Sequence, residues 1–164
     1  MDGEGSGSPL RVPDVVIIFE KALRGVDRPG MSRFARHAQK LAGVSGDVDI
    51  LIAGNRRIRA LNHRFRRKDK ATDVLSFSRD GGGDIAISAD IARRNAARYR
   101  HSAASELKIL VLHGMLHLAG HDHETDNGSM ARLENKLRAK LKLPGSLIDR
   151  AQTPATRPAA RRSR

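Results

Sequence analysis

The stretch His113-Gly-Met-Leu-His117-Leu-Ala-Gly120-His-Asp-His123 places three imidazoles at the spacing of a metal site. His113 and His117 are four residues apart, so on a helix they leave from one face, one turn above the other. Gly120 falls where a helix ends in a left-handed residue, which turns the chain back and brings His123 toward the same ion from a third direction. Three imidazoles leave a tetrahedral zinc ion one open position, the pattern of a catalytic rather than a closed structural site. A lone histidine on a leucine-rich helix is ordinarily a hydrogen-bonded, partly buried residue. Four histidines within eleven residues, after the apolar run Ile109-Leu-Val-Leu112 and with glycine where the chain must turn, favour the metal instead.

Zinc proteases use the same spacing, His-Glu-x-x-His-x-x-Gly-x-x-His, but Gly114 stands where their general-base glutamate belongs. Without that carboxylate, peptide hydrolysis becomes the lesser reading and the metal helix serves other chemistry. The chain contains no cysteine, so disulfides and thiolate ligands are excluded and any metal is held by nitrogen and oxygen.

Working outward, 164 residues with 39% hydrophobic content suit one domain with a single modest core. No run approaches the roughly eighteen apolar residues of a membrane span. Residues 1–9 lack the basic and apolar regions of a signal peptide, so a cytoplasmic protein with no membrane partner is expected. The net charge of +13 points to a polyanion, because lysine and arginine gain affinity by displacing counterions from phosphates. Residues 56–70 hold eight Lys or Arg against one acid, and residues 150–164 hold five Arg and none. Either cluster alone reads equally well as a solvated face; beside a hydrolytic metal, phosphate is the better partner. With aromatics at only 3%, a base-stacking platform is not expected, and recognition leans on the nucleic-acid backbone.

Residues 1–12, rich in Gly and Ser, and a basic stretch at 146–164 read as flexible tails around a folded unit at 13–145. Val15-Val-Ile-Ile-Phe19 predicts a strand, and Met31, Phe34, Ala35, Ala38 and Leu41 recur at helical spacing before Gly43. Asp49-Ile-Leu-Ile52 predicts a second strand, Asn55 is the expected cap of a helix carrying Ile58, Leu61 and Phe65, and Val74-Leu-Ser-Phe77 predicts a third strand. Asp80-Gly-Gly-Gly83 reads as a hairpin turn into a short edge strand, Asp84-Ile-Ala-Ile-Ser88, with Ser88 capping the next helix. These glycines lack the Lys-Ser/Thr of a phosphate loop, so no nucleotide cofactor is implied. Helices are expected at about 89–99, 104–119 and 127–141, the last with Met130, Leu133, Leu137 and Leu141 as its seam. The fold class is α/β of mixed α+β type: one small domain, a four-stranded mixed sheet covered by helices, with a metzincin-like metal-binding helix at its centre.

Three ordered blocks resemble the YbeY-type endoribonucleases of bacterial ribosomal RNA maturation. The histidine block matches their His-Gly-x-Leu-His-Leu-x-Gly-Tyr/His-Asp-His throughout. Leu61-Asn-His-Arg-Phe65-Arg66-Arg-Lys68-Asp69-Lys-Ala-Thr72-Asp73-Val-Leu-Ser76-Phe77 and Gly83-Asp84-Ile-Ala-Ile-Ser88 are similar to the other two. Phe65 replaces the usual tyrosine, and Ser78 stands where proline is common.

The resemblance implies a single-strand-directed, metal-dependent endoribonuclease acting in 16S rRNA 3′-end maturation and ribosome quality control. Its partners would be single-stranded RNA, rRNA and the small ribosomal subunit. It implies one zinc ion per chain on His113, His117 and His123, although nickel and other divalent ions also suit imidazole. Arg66, on the motif arginine, is the implied catalytic residue, stabilising charge on the phosphate through paired guanidinium hydrogen bonds. Arg64, Arg67 and Lys68 are further candidates for RNA contact. Asp122 and Glu124 flank the third ligand, and either orients a ligating imidazole or assists proton transfer; Asp122, inside the matched block, is the better candidate and reads equally well as a cap of the turn, and His121 is not read as a ligand. Asp73 and Asp84 read equally well as turn or strand-end hydrogen bonders and are not taken as catalytic. The resemblance also suggests that the 83–88 strand runs antiparallel at the sheet edge beside the metal cleft. Two alternatives stand beside this reading: a metzincin-like metalloprotease, disfavoured by Gly114, and a non-catalytic ribosome-associated zinc protein.

Overall fold

The computed structural model describes residues 11–122 and 127–144. In chain order the elements are β1 (Val15–Phe19), α1 (Arg28–Ala42), β2 (Val48–Ala53), α2 (Asn55–Arg66), β3 (Val74–Arg79), β4 (Gly82–Ser88), α3 (Ala89–Arg98), α4 (Ala103–Leu118) and α5 (Ser129–Lys140). The sheet order is β1-β2-β4-β3, with β1, β2 and β4 parallel and β3 antiparallel to β4. The fold is the expected mixed α/β domain. The expected tails at 1–12 and 146–164 fall almost wholly outside the described residues.

One expectation about the sheet is corrected. β4, which covers 83–88, is an inner strand, parallel to β2 on one side; the antiparallel edge strand is β3. Ile85 and Ile87 are buried on one face of β4 and Ala86 and Ser88 on the other, so both faces need cover. β3 alternates apolar residues with Ser76 and Ser78 and ends in Arg79, which suits an edge. Asp80 and Gly81, at φ 46° and 77°, form the two-residue turn whose positive φ values match the twist of a hairpin. Gly82 and Gly83 therefore belong to the strand and not to the turn.

α4 is buried along most of its length and largely apolar, and a helix of that kind belongs in the interior. It packs against α1, α3, α5, β3 and β4. The core on its side of the sheet includes Ile50, Ile52, Ile85 and Ile87. The other face is covered by α2, whose Ile58 packs with Ala53, Leu75 and Ala86. Gly114 permits the close approach of α4 to the sheet, since a Cβ there would lie 2.9 Å from Ile85 Cδ1 and Cγ2.

A second correction concerns the cap of α2. Gly54 holds the cap position and Asn55 is already helical. Asp90 of α3 accepts the Asn55 N–H at 2.9 Å, while the Asn55 side chain accepts a hydrogen bond from Ser88 Oγ. The capping carboxylate comes from another element, and Asp90 is further held by Lys21. Ser88 caps α3 as expected, accepting the Ile91 N–H at 3.0 Å.

Candidate metal and phosphate cleft

The last turns of α4 open onto a cleft of about 610 Å³. His113 and His117 both line it, with His113 buried and His117 partly exposed. Their Nε2 atoms are 3.0 Å apart and the rings meet edge to face. The expected turn follows. Gly120 has φ 95°, its N–H donates to His117 O, and the His121 N–H donates to Leu116 O, a Schellman closure that reverses the chain at once. Asp122, the last described residue before 123–126, lines the cleft. His123 and Glu124 lie outside the described residues.

The opposite wall is built by the end of α2 and the loop that follows. Arg67 ends α2 in the left-handed region at φ 56°, with its N–H bonded to His63 O and that of Lys68 to Asn62 O. The returning loop is clamped twice. Arg59 makes paired hydrogen bonds to Asp69 at 2.8 and 3.0 Å, and Asn62 Nδ2 donates to Lys70 O at 2.9 Å. These ties put Lys68 and Lys70 on the cleft wall, beside Arg66. Arg66 donates to Ser76 O at 2.8 Å and its guanidinium lies 5.5 Å from the Phe77 ring centre. Asp73 O accepts from Ser88, so alternate residues 75, 77 and 79 also face β4, and Ser76 O belongs to the open edge that Arg66 bridges.

The structure thus brings Arg66, Lys68, His113, His117 and Asp122 to one cleft, and does not bring Arg64 or Arg67 to it. Arg64 lies over Phe65, its guanidinium 5.1 Å from the ring centre. Asp84 sits on the far face of the sheet, where Arg79 bridges it to Asp49. Asp73 lines the cleft; its Oδ1 accepts the Val74 N–H, yet burial pushes its carboxyl above the usual carboxylate range. Lys70 and Glu134 were not singled out from the sequence. Lys70 reads as one more charge in a basic run. Glu134 sits fully buried behind His113, its Oε2 3.5 Å from His113 Nδ1, and its only signal was a carboxylate beside an apolar seam.

The profile of the family described as Endoribonuclease YbeY matches residues 19–142. The chain is 55% identical to an Endoribonuclease YbeY of Koribacter versatilis, covering 91% of this chain and 100% of that relative. It is 49% identical to one of Solibacter usitatus, covering 84% and 95%. The solution structure of TM1509 from Thermotoga maritima shares the fold, with a TM-score of 0.53 at 22% identity over 87% of this chain and 99% of that one. A match that runs from the end of β1 through α5 spans every wall of the cleft, and the chain belongs to the endoribonuclease YbeY family.

Proposed function

We propose that this chain is a metal-dependent endoribonuclease that cuts single-stranded RNA, acting in 16S rRNA 3′-end maturation and ribosome quality control with the small ribosomal subunit as partner. The observation that carries the reading is the convergence of two imidazole Nε2 atoms, 3.0 Å apart, in a cleft whose facing wall is Arg66, Lys68 and Lys70. Two nitrogens bound tetrahedrally to one zinc ion would be roughly 3.3 Å apart, so the pair fits such an ion, with His123 as the third ligand. The chemistry supplied by the ion when bound is Lewis-acid polarisation of a phosphoryl oxygen and a lowered pKa for water.

The chain's own groups do the rest. Arg66 spends one N–H group on Ser76 O, which orients its guanidinium plane, and the remaining groups serve the charge that builds on the scissile phosphate. Lys68 and Lys70 hold neighbouring phosphates, and Asp122 serves to orient a ligating imidazole. Contacts of this kind carry no base code, so weak sequence preference and a steep salt dependence follow. Peptide hydrolysis fits poorly, because the position of a zinc protease's general-base glutamate is held by Gly114, where Ile85 leaves no room for a side chain.

The test is cleavage of end-labelled single-stranded RNA by purified wild type and by His117→Ala prepared identically. Cleavage by the wild type alone supports the proposal. Equal cleavage by both, or by neither, removes it and leaves a ribosome-bound zinc protein as the better reading.

A further inference from the structure

α5 carries a second row beside its apolar seam. Met130, Glu134 and Arg138 follow one another at four-residue spacing, and all three are buried, Glu134 fully and Arg138 to 2% exposure. Placing a carboxylate and a guanidinium in a core costs several kcal/mol unless their partners are well placed, so apolar residues would have been the stable choice here. The partners point to the site. Glu134 Oε1 lies 3.7 Å from Arg138, and Oε2 lies 3.5 Å from His113 Nδ1. The other ring nitrogen of His113 is the one that meets His117 in the cleft.

We infer that Glu134 is the positioning residue of the metal site: it holds His113 in the tautomer with its proton on Nδ1, which leaves the Nε2 lone pair directed into the cleft. An ionised carboxylate accepts and cannot donate, so the contact at 3.5 Å favours the tautomer with the proton on Nδ1. A metal-ligating histidine needs that division between its two nitrogens, and the group behind it fixes both the tautomer and the ring plane. Arg138 supplies the counter-charge that makes a buried carboxylate tolerable here. This rests on the metal reading proposed above.

Glu134→Gln separates positioning from bulk. The Arg138 guanidinium, 3.7 Å from Glu134 Oε1 and equipped with donors alone, attracts the amide oxygen, which turns the amide NH2 toward His113 Nδ1. The proton then moves to Nε2 and occupies the lone pair that a metal needs. The measurements on the full chain are the His113 tautomer, from long-range ¹H–¹⁵N NMR of the metal-free protein, and Zn²⁺ affinity by competition with a chromophoric chelator. Wild type should show Nδ1–H, Glu134→Gln should show Nε2–H, and Zn²⁺ affinity should fall by about 10- to 100-fold. Glu134→Asp should recover part of the affinity. An Nε2–H tautomer in the wild type overturns the inference even if the glutamine variant does not fold. So does a Glu134→Gln variant that keeps the wild-type tautomer and affinity. If wild type binds no Zn²⁺, the metal reading fails, while the tautomer still decides what Glu134 does.

Discussion

Gly114→Ala should destabilise the protein although alanine is the better helix former. In an exposed helix interior the change would gain about 1 kcal/mol. Here the new Cβ would stand 2.9 Å from Ile85 Cδ1, 2.9 Å from Cγ2 and 3.2 Å from Cγ1. Ordinary carbon contacts begin near 3.5 Å, so the overlap is about 0.6 Å. Both Cγ atoms branch from one stiff centre, and rotation about χ1 cannot clear both. Ile85 is buried at 1% exposure, so α4 must lift from the sheet, taking His113 with it. Overpacking of this kind costs about 1–3 kcal/mol, and the expected net loss is about 0–2 kcal/mol after the helix gain of about 1 kcal/mol. Ile85→Ala removes all three contacted atoms at a cost of about 2–5 kcal/mol alone. In that background Gly114→Ala should be neutral or stabilising. The assay is a double-mutant cycle by urea unfolding at constant m-value. The reasoning is refuted if Gly114→Ala stabilises the wild-type background, or if its cost is the same with and without Ile85.

Other outcomes follow from the same geometry. Arg66→Lys keeps the charge but loses the paired donors, so cleavage should drop about 100-fold or more while thermal unfolding moves little, as read by parallel kinetics and melting curves. Asp90→Ala removes the external cap of α2 and should cost about 1 kcal/mol at neutral pH. Lys21 and the Asn55 N–H hold the Asp90 carboxyl below its ordinary value. That stabilisation is therefore present above the unfolded carboxylate pKa and is lost as pH falls through the lower folded value, so wild type and variant should converge in urea titrations once the pH lies below that lowered value. Removing divalent metal with a chelator should lower the melting temperature, Zn²⁺ should restore it, and His117→Ala should show neither effect in calorimetry. Substituting Lys68 and Lys70 together by alanine should weaken binding to single strands of any sequence and flatten the salt dependence by about 1–2 units of slope.

Much of this protein is legible locally. The 3.6- and 2-residue periodicities, Ser88 at a cap, Asp80-Gly81 in a hairpin and Gly120 after α4 all act within a few residues, so the chain announces them. The register that sets His113 below His117 is of this kind, and so is the basic run that holds Arg66 and Lys68. Which strand would lie inside was not announced, because it depends on how β4 fills the space between β2 and β3 with both faces covered. The cap of α2 comes from Asp90 on another helix, and Glu134 reaches His113 across a helix interface. The reason is physical: caps, turns and amphipathic stripes are short-range and leave a periodic trace. Contacts between elements depend on packing geometry, and a carboxylate such as Glu134 looks the same in sequence whether it meets water or an imidazole. Sequence alone nominated residues for a metal and a phosphate, Arg64 and Arg67 among them; tertiary structure decided that Arg66, Lys68 and the two imidazoles line a single cleft, because only the packing of α2, its following loop and α4 brings them together.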